Sequence, residues 1–291
     1  MAFLLCLAFV SAAARADIPP PGSHSVLAKY WDSIDRWVTN YSPYSYSMPI
    51  ADLISDNDGG VWFGVGPSLE HIDRGGRMSQ RNMPEYLWDI FGFARDPGGR
   101  LWFSLGQSGR IGTIDPDGSL RTRVIVPRRF DPDIHEIAFD PDGILWFRDY
   151  GRGSIGRVSP DGDLLEIPIA DRYETRFTLC GRHPYISTFR WDTDIGEIKS
   201  VDPRTLSIRT VKERAQRRYP ICGKSGWSSG RSWLDHAIKR RDGTIAVQSY
   251  GLPIGYAEIA AVAASPNGDL WVALNYANAP LAITKLSKKR R

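Results

Sequence analysis

Asp140-Pro141-Asp142-Gly143-Ile144-Leu145-Trp146-Phe147 is the stretch on which the reading of this chain turns. Its first four residues make a turn, in which Pro fixes φ and Gly accepts a positive φ. The apolar-rich His135–Phe139 before it reads as an inner strand, and Leu145-Trp146-Phe147 after it as a second. Ser154-Ile155-Gly156-Arg157-Val158 follows as a third. Pro160-Asp161-Gly162 then turns the chain into an outer strand, Leu164-Leu165-Glu166-Ile167-Pro168. An inner strand covered on both faces reads as a near-continuous apolar run, whereas an outer strand should alternate and carry Arg and Glu on its wet face.

The same pattern recurs at Asp56–Phe63, Asp96–Phe103 and Ser265–Val272. The tryptophans of the four copies, Trp62, Trp102, Trp146 and Trp271, lie 40, 44 and 125 residues apart. The last gap holds about three periods, so two divergent repeats sit within it. One covers Phe177–Arg214, with Glu197–Val201 as its third strand; the other covers Arg218–Leu252 and contains His236–Lys239. A period of roughly 40–45 residues with several strands per repeat marks the blade of a β-propeller. The fold expected is all-β: six four-stranded blades over residues 48–286, with seven as the alternative count. The final repeat stops after Ala282–Leu286, its third strand. The missing outer strand is expected from Trp37–Tyr41, in the N-terminal segment 17–47, which closes the ring and removes an exposed edge.

Composition agrees. Of 291 residues, 42% are hydrophobic and 24% charged, which excludes a disordered chain. Ten Trp, 28 Gly and 20 Pro argue for short aromatic-rich strands and frequent turns rather than long helices. The net charge of +4 is largely gathered in the C-terminal tail, residues 287–291 and the nearby Lys285. No basic face with interleaved aromatics is apparent, so no nucleic-acid partner is expected. Ala2–Val10 is an apolar run, and Ala14-Arg15-Ala16 has the small-x-small pattern of a signal-peptidase site. Residues 1–16 are therefore expected to be a cleaved signal peptide, with a periplasmic or secreted, monomeric product and no membrane span. Of the three cysteines Cys6 would leave with the signal. Cys180 and Cys222 lie one repeat period apart in similar surroundings, and equivalent positions on adjacent inner strands approach one another, so a disulfide between them is expected.

The string Pro141-Asp142-Gly143-Ile144-Leu145-Trp146-Phe147, followed by Ile155-Gly156-Arg157-Val158-Ser159-Pro160-Asp161-Gly162, resembles the virginiamycin B lyase (streptogramin lyase) group of propellers. The likeness is clearest over residues 92–169 and weaker over 50–84 and 258–286. It implies an elimination at the ester of a cyclic depsipeptide, using Mg, carboxylates and His at one mouth of a seven-bladed ring. A metal or another electrophile polarises the carbonyl while a base takes the α-proton. In that family the inner strand often begins with His, and the second strand often ends in Glu. Here the His position holds Ala51, Phe91, His135 and Ala260, and the Glu position holds Val65, Leu105, Asp149 and Leu274. Apolar residues cannot ligate Mg. The resemblance therefore implies a divergent member whose lyase site is largely lost, with Mg the only cofactor it brings to mind.

Only the third repeat is polar at both positions. In an antiparallel hairpin the start of the inner strand and the end of the second strand lie together, at one mouth of the channel. The catalytic candidates are His135 as base, Asp149 as orienting acid and Arg148 as carbonyl electrophile. Glu136 is a ligand-binding candidate, joined by Arg190, Trp191 and Asp192 from the loop after the second strand of the fourth repeat. The plain alternative is a rim of salt bridges that satisfies its own charges. His71, His183 and His236 read as packing or rim histidines. No P-loop, dinucleotide fingerprint, zinc spacing or nucleophile elbow is present.

Three functions fit these residues. The first is an exported propeller that binds a small amphipathic ligand, or a peptide, at one mouth. The second is an active carbon–oxygen lyase of the resembled type. The third is a periplasmic sensor or protein-binding propeller.

Overall fold

The structure, a computed structural model, describes residues 31–38, 50–83, 89–115, 119–127, 130–169, 175–189, 195–216, 226–229, 233–239, 241, 245–251, 257–276 and 282–288. These form 23 strands in six antiparallel sheets, an all-β propeller. Strand β1 is Trp31–Val38. The first repeat supplies β2 (Leu53–Ser55), β3 (Val61–Val65), β4 (Ser68–Ile72) and β5 (Met78–Asn82). The second supplies β6 (Phe93–Arg95), β7 (Leu101–Leu105), β8 (Arg110–Ile114) and β9 (Leu120–Val124). The third supplies β10 (Ile134–Phe139), β11 (Leu145–Asp149), β12 (Ser154–Val158) and β13 (Leu164–Pro168). The fourth supplies β14 (Thr175–Cys180), β15 (His183–Phe189), β16 (Ile195–Val201) and β17 (Ile208–Gln216). The fifth has β18 (Gly226–Ser229), β19 (Trp233–Lys239) and β20 (Ile245–Gly251). The last has β21 (Ala257–Ala264), β22 (Leu270–Tyr276) and β23 (Ala282–Lys288).

The expectation of six four-stranded blades is corrected in one respect. Five sheets have four strands, and the fifth repeat contributes three among the described residues. The fourth strand of the last sheet is β1, which runs antiparallel to β23 with Trp37 opposite Ile283 and Val38 opposite Ala282. This pairing begins six residues earlier than the Trp37–Tyr41 segment read from the sequence. Residues 39–41 lie outside the described residues, as do the expected signal segment 1–16, the rest of 17–47 except β1, and Lys289–Arg291.

The repeat motif has a side-chain explanation. Asp96 accepts the Arg100 N–H with one carboxylate oxygen and the Trp102 indole N–H with the other, both at 2.9 Å. Asp140 does the same for Asp142 and Ile144 N–H and for the Trp146 indole, at 2.9, 3.0 and 3.4 Å. One carboxylate thus holds the turn and fixes the tryptophan of the next strand. In the first repeat Asp56 receives the Asp58 and Gly60 N–H groups and meets His71 Nε2 at 2.7 Å, and His71 stacks on Trp62. His71 is therefore a packing histidine. Gly59, Gly99, Gly143 and Gly268 have φ of 93°, 84°, 81° and 86°, the left-handed conformation the turn requires.

The apolar cores lie between consecutive sheets. Leu53, Phe63 and Ile72 pack with Ala261, Trp271 and Ile283; Leu69 packs with Phe93 and Phe103; Ile111 packs with Ile134, Ile137 and Phe147. Trp146 and Ile155 pack with Phe177 and Ile186. Face-to-face stacking of this kind sets inner strands side by side. β21, β2, β6, β10 and β14 neighbour one another in that order, and β18 lies beside β21. The starts of these strands therefore converge. The outer strand β9 departs from alternation and is exposed at four consecutive residues, Arg121–Val124.

Candidate functional site

Strands β10 and β11 pair with Ile134 opposite Asp149 and Ile137 opposite Phe147, and the register slips between these pairs. The slip lies at His135 and Glu136, which follow Ile134 at the start of the inner strand of the third sheet. Two neighbouring sheets secure them. Ser104 Oγ donates to the His135 carbonyl at 2.7 Å and accepts the Gly92 N–H at 2.9 Å. Glu136 accepts the Phe177 N–H at 3.0 Å. Gly92 is required here, since a Cβ would run into the His135 carbonyl oxygen.

The His135 ring stacks flat on Phe91, with centroids 3.7 Å apart and planes 9° from parallel. Tyr150 lies on it at 4.3 Å. Its Nε2 is 3.0 Å from Asp133 Oδ1. That contact leaves Nδ1 as the ring atom for a ligand. Burial pushes the Glu136 carboxyl above the ordinary carboxylate range, against the pull of Arg148 and Arg176. Burial, with Glu136 nearby, also raises the Tyr150 phenol.

A cavity of about 470 Å³ opens at this mouth. Its polar side is His135, Glu136, Tyr150, Arg176 and Asp52; its apolar side includes Ala51, Phe91, Ala260, Ala261 and Val262. The apolar residues read at the His position in the first, second and last repeats therefore form a wall.

Arg148 and Asp149 are not part of this lining, which corrects their assigned roles as carbonyl electrophile and acid partner of His135. Both side chains are fully buried. The Arg148 guanidinium lies 3.7 Å over the Tyr150 ring and 4.0 Å from Glu136, behind the cavity. Asp149 accepts the Asp133 N–H at 2.9 Å and binds the Arg152 guanidinium at 2.9 Å. It thus anchors the loop that carries Asp133, and Asp133 is the acid at His135. Arg152 in turn pairs with Glu166. Arg190, Trp191 and Asp192 lie outside the described residues. His183 is exposed at the start of β15.

Four side chains of the site went unread: Asp52, Asp133, Tyr150 and Arg176. Asp52 and Arg176 could have been found, because they hold the frame position of Glu136 in the first and fourth repeats. Asp52 accepts the Phe93 N–H at 2.9 Å, 41 residues along the chain, just as Glu136 accepts that of Phe177, also 41 residues along. Burial raises its pKa to about 7, with Glu136 contributing in the same direction.

The residues at this mouth do not fit a magnesium centre. Among the described residues no three His, Cys, Asp or Glu side chains converge as a metal site. Both Asp52 oxygens and one Glu136 oxygen already accept backbone N–H groups. A cation of that kind needs about six oxygen ligands in octahedral geometry.

No protein-family model and no curated protein sequence matches the chain. Solved structures do. A catalytically inactive virginiamycin B lyase from Staphylococcus aureus, with quinupristin, is 16% identical, with a TM-score of 0.52, over 94% of this chain and 99% of that one. A gluconolactonase from Xanthomonas campestris is 16% identical, with a TM-score of 0.60, over 94% and 97%. A calcium-binding regucalcin from Agrobacterium tumefaciens is 14% identical, with a TM-score of 0.55, over 84% and 93%. The resemblance drawn from the repeat motif thus holds in the fold, which these propellers share along nearly their whole lengths.

Proposed function

We propose that this chain is an exported, monomeric six-bladed propeller, completed by β1, that binds a small amphipathic molecule at the mouth lined by His135 and Glu136. Residues 1–16 are its signal peptide, and its place is the periplasm or the exterior. The observation that carries the reading is the two-sided cavity, polar at His135, Glu136, Tyr150 and Arg176 and apolar at Ala51, Ala260 and Val262. A pocket of this size with few convergent polar groups is the usual form of a small-molecule site. The apolar residues at the His and Glu positions of the first, second and last repeats support binding over the chemistry of the resembled lyase.

A second reading rests on the His135–Asp133 contact. An imidazole oriented by a carboxylate can take a proton from a carbon that is α to a neighbouring carbonyl and β to the ester oxygen. The electrons of that C–H bond form a C=C bond as the alkyl C–O bond of the ester breaks, the carboxylate leaves, and the imidazole holds the proton.

Calorimetric titration with a panel of amphipathic esters, amines and acids, quinupristin among them, tests both. The first reading expects saturable binding that Ala260→Leu weakens by filling the cavity. Binding indifferent to both Ala260→Leu and His135→Ala removes the site from this mouth. Ring-opened product that disappears in His135→Ala decides for the second reading.

A further inference from the structure

We infer that the amphipathic ligand of this mouth is a cation, an alkyl- or arylamine whose ammonium group lies between the Asp52 and Glu136 carboxyls and whose apolar body rests on Ala51, Ala260 and Val262. The inference rests on the binding reading above and narrows it to a chemical class.

Three observations converge. First, Asp52 has no basic partner among the described residues; its hydrogen bonds are to the N–H groups of Leu53 and Phe93. Glu136, by contrast, has Arg148 behind it and Arg176 beside it. Second, the two carboxyls line one cavity and sense each other's charge. Third, the apolar wall begins at Asp52 itself: Ala51 precedes it, and Ala260–Val262 stand on β21, the neighbouring strand. A carboxyl beside that wall matches a short molecule with one cationic end.

The charged groups around the pair are few. Glu136 faces Asp52 from β10, with His135 next to it and Arg176 on β14; the wall on β21 offers none. Asp89 approaches Asp133 and His135 rather than Asp52. An ammonium between the carboxyls replaces their mutual repulsion by attraction and draws both toward the ionised form. Amine binding therefore strengthens as pH rises from 6 to 8, by roughly tenfold, the change in the ionised fraction of a group titrating near 7. The amine, with a pKa near 10, stays charged throughout.

The experiment is calorimetric titration of the whole protein with hexylamine, hexanol and hexanoate at pH 6 and 8. Hexylamine is expected to bind about tenfold more tightly than hexanol at pH 8, and hexanoate more weakly than either. Asp52→Asn keeps an acceptor for the Phe93 N–H, and its melting temperature reports that the fold survives. It should erase the preference for amine while leaving hexanol affinity in place. Glu136→Gln should reduce the preference severalfold less. Equal affinity for amine and alcohol, or amine affinity unchanged in Asp52→Asn, overturns the inference and leaves the binding reading standing. Calcium or magnesium displacing the amine at micromolar concentration overturns it in favour of a metal site. Failure of all three probes to bind, with the wider panel also silent, removes both.

Discussion

The indole N–H of Trp102 donates to the Asp96 carboxylate six residues earlier, at 2.9 Å, while the other oxygen of that carboxylate holds the Arg100 N–H. One side chain therefore sets both the turn and the rotamer of the tryptophan that follows it. Asp96→Ala removes two hydrogen bonds to one carboxylate and should destabilise the protein by about 1–3 kcal/mol. Asp58→Ala, in an exposed turn of the first repeat, should leave stability within about 0.5 kcal/mol. Chemical denaturation of both variants checks the contrast.

Glu70 is buried in β4, and one of its carboxylate oxygens has no hydrogen-bond partner. Burial raises its pKa from 4.5 to about 7. Below pH 4 the folded and unfolded chains both hold the proton. Between that and about 7 the unfolded chain releases it and the folded chain does not, so stability falls with rising pH across this window. Glu70→Gln should therefore stabilise the protein by about 1–3 kcal/mol at pH 8 and leave it nearly unchanged at pH 4. Melting curves at the two pH values give the test; equal shifts at both would exclude burial of the charge as the cause.

The Arg148 guanidinium lies over Tyr150 and 4.0 Å from Glu136, so Arg148 is expected to act as a positioning residue. Arg148→Ala leaves Glu136 without its nearest cation and should raise that carboxyl further. The expected outcome is weaker amine binding whose pH midpoint moves upward. Loss of affinity at every pH, with an unmoved midpoint, indicates a structural role alone.

Cys180 is disulfide-bonded. Cys222 lies outside the described residues, and its pairing with Cys180 is proposed. Peptide mapping of the unreduced protein should recover the Cys180 and Cys222 peptides joined. Reduction should cost about 2–4 kcal/mol of stability. Recovery of Cys222 as a free thiol would end the pairing.

The blade pattern was legible in the sequence because its determinants are local. Asp96, Gly99 and Trp102 lie within seven residues and recur. The register of β1 was not, because Trp31–Val38 contains Asp32, Ser33, Asp35 and Arg36 and lacks the clean alternation that fixes a strand's pairing. At the site, His135 and Glu136 were legible from the repeat frame. Asp149 pairs opposite Ile134 in the hairpin, yet its buried carboxylate turns to the Asp133 N–H, a contact set by the loop between the second and third sheets. Asp52 belongs to another sheet, and only the stacking of β2 beside β6 and β21 brings it to the cavity.

The pairing of β1 with β23 has a consequence for the order of events in the life of the chain. Ile50 N–H bonds to Asn275 across 225 residues of sequence, and β1 reaches β23 across still more. A ribosome makes β1 long before β23, so the two cannot pair until the five sheets between them in sequence have been synthesised. Contacts this distant are slow to form, because the closing of so long a loop precedes any gain from it. A nascent chain stalled at Tyr276 would have the hairpin of β21 and β22 and nothing for β1 to meet. The pairing of β1 is thus timed by the synthesis of β23, and a chain cut short before Ala282 leaves β1 without its partner strand.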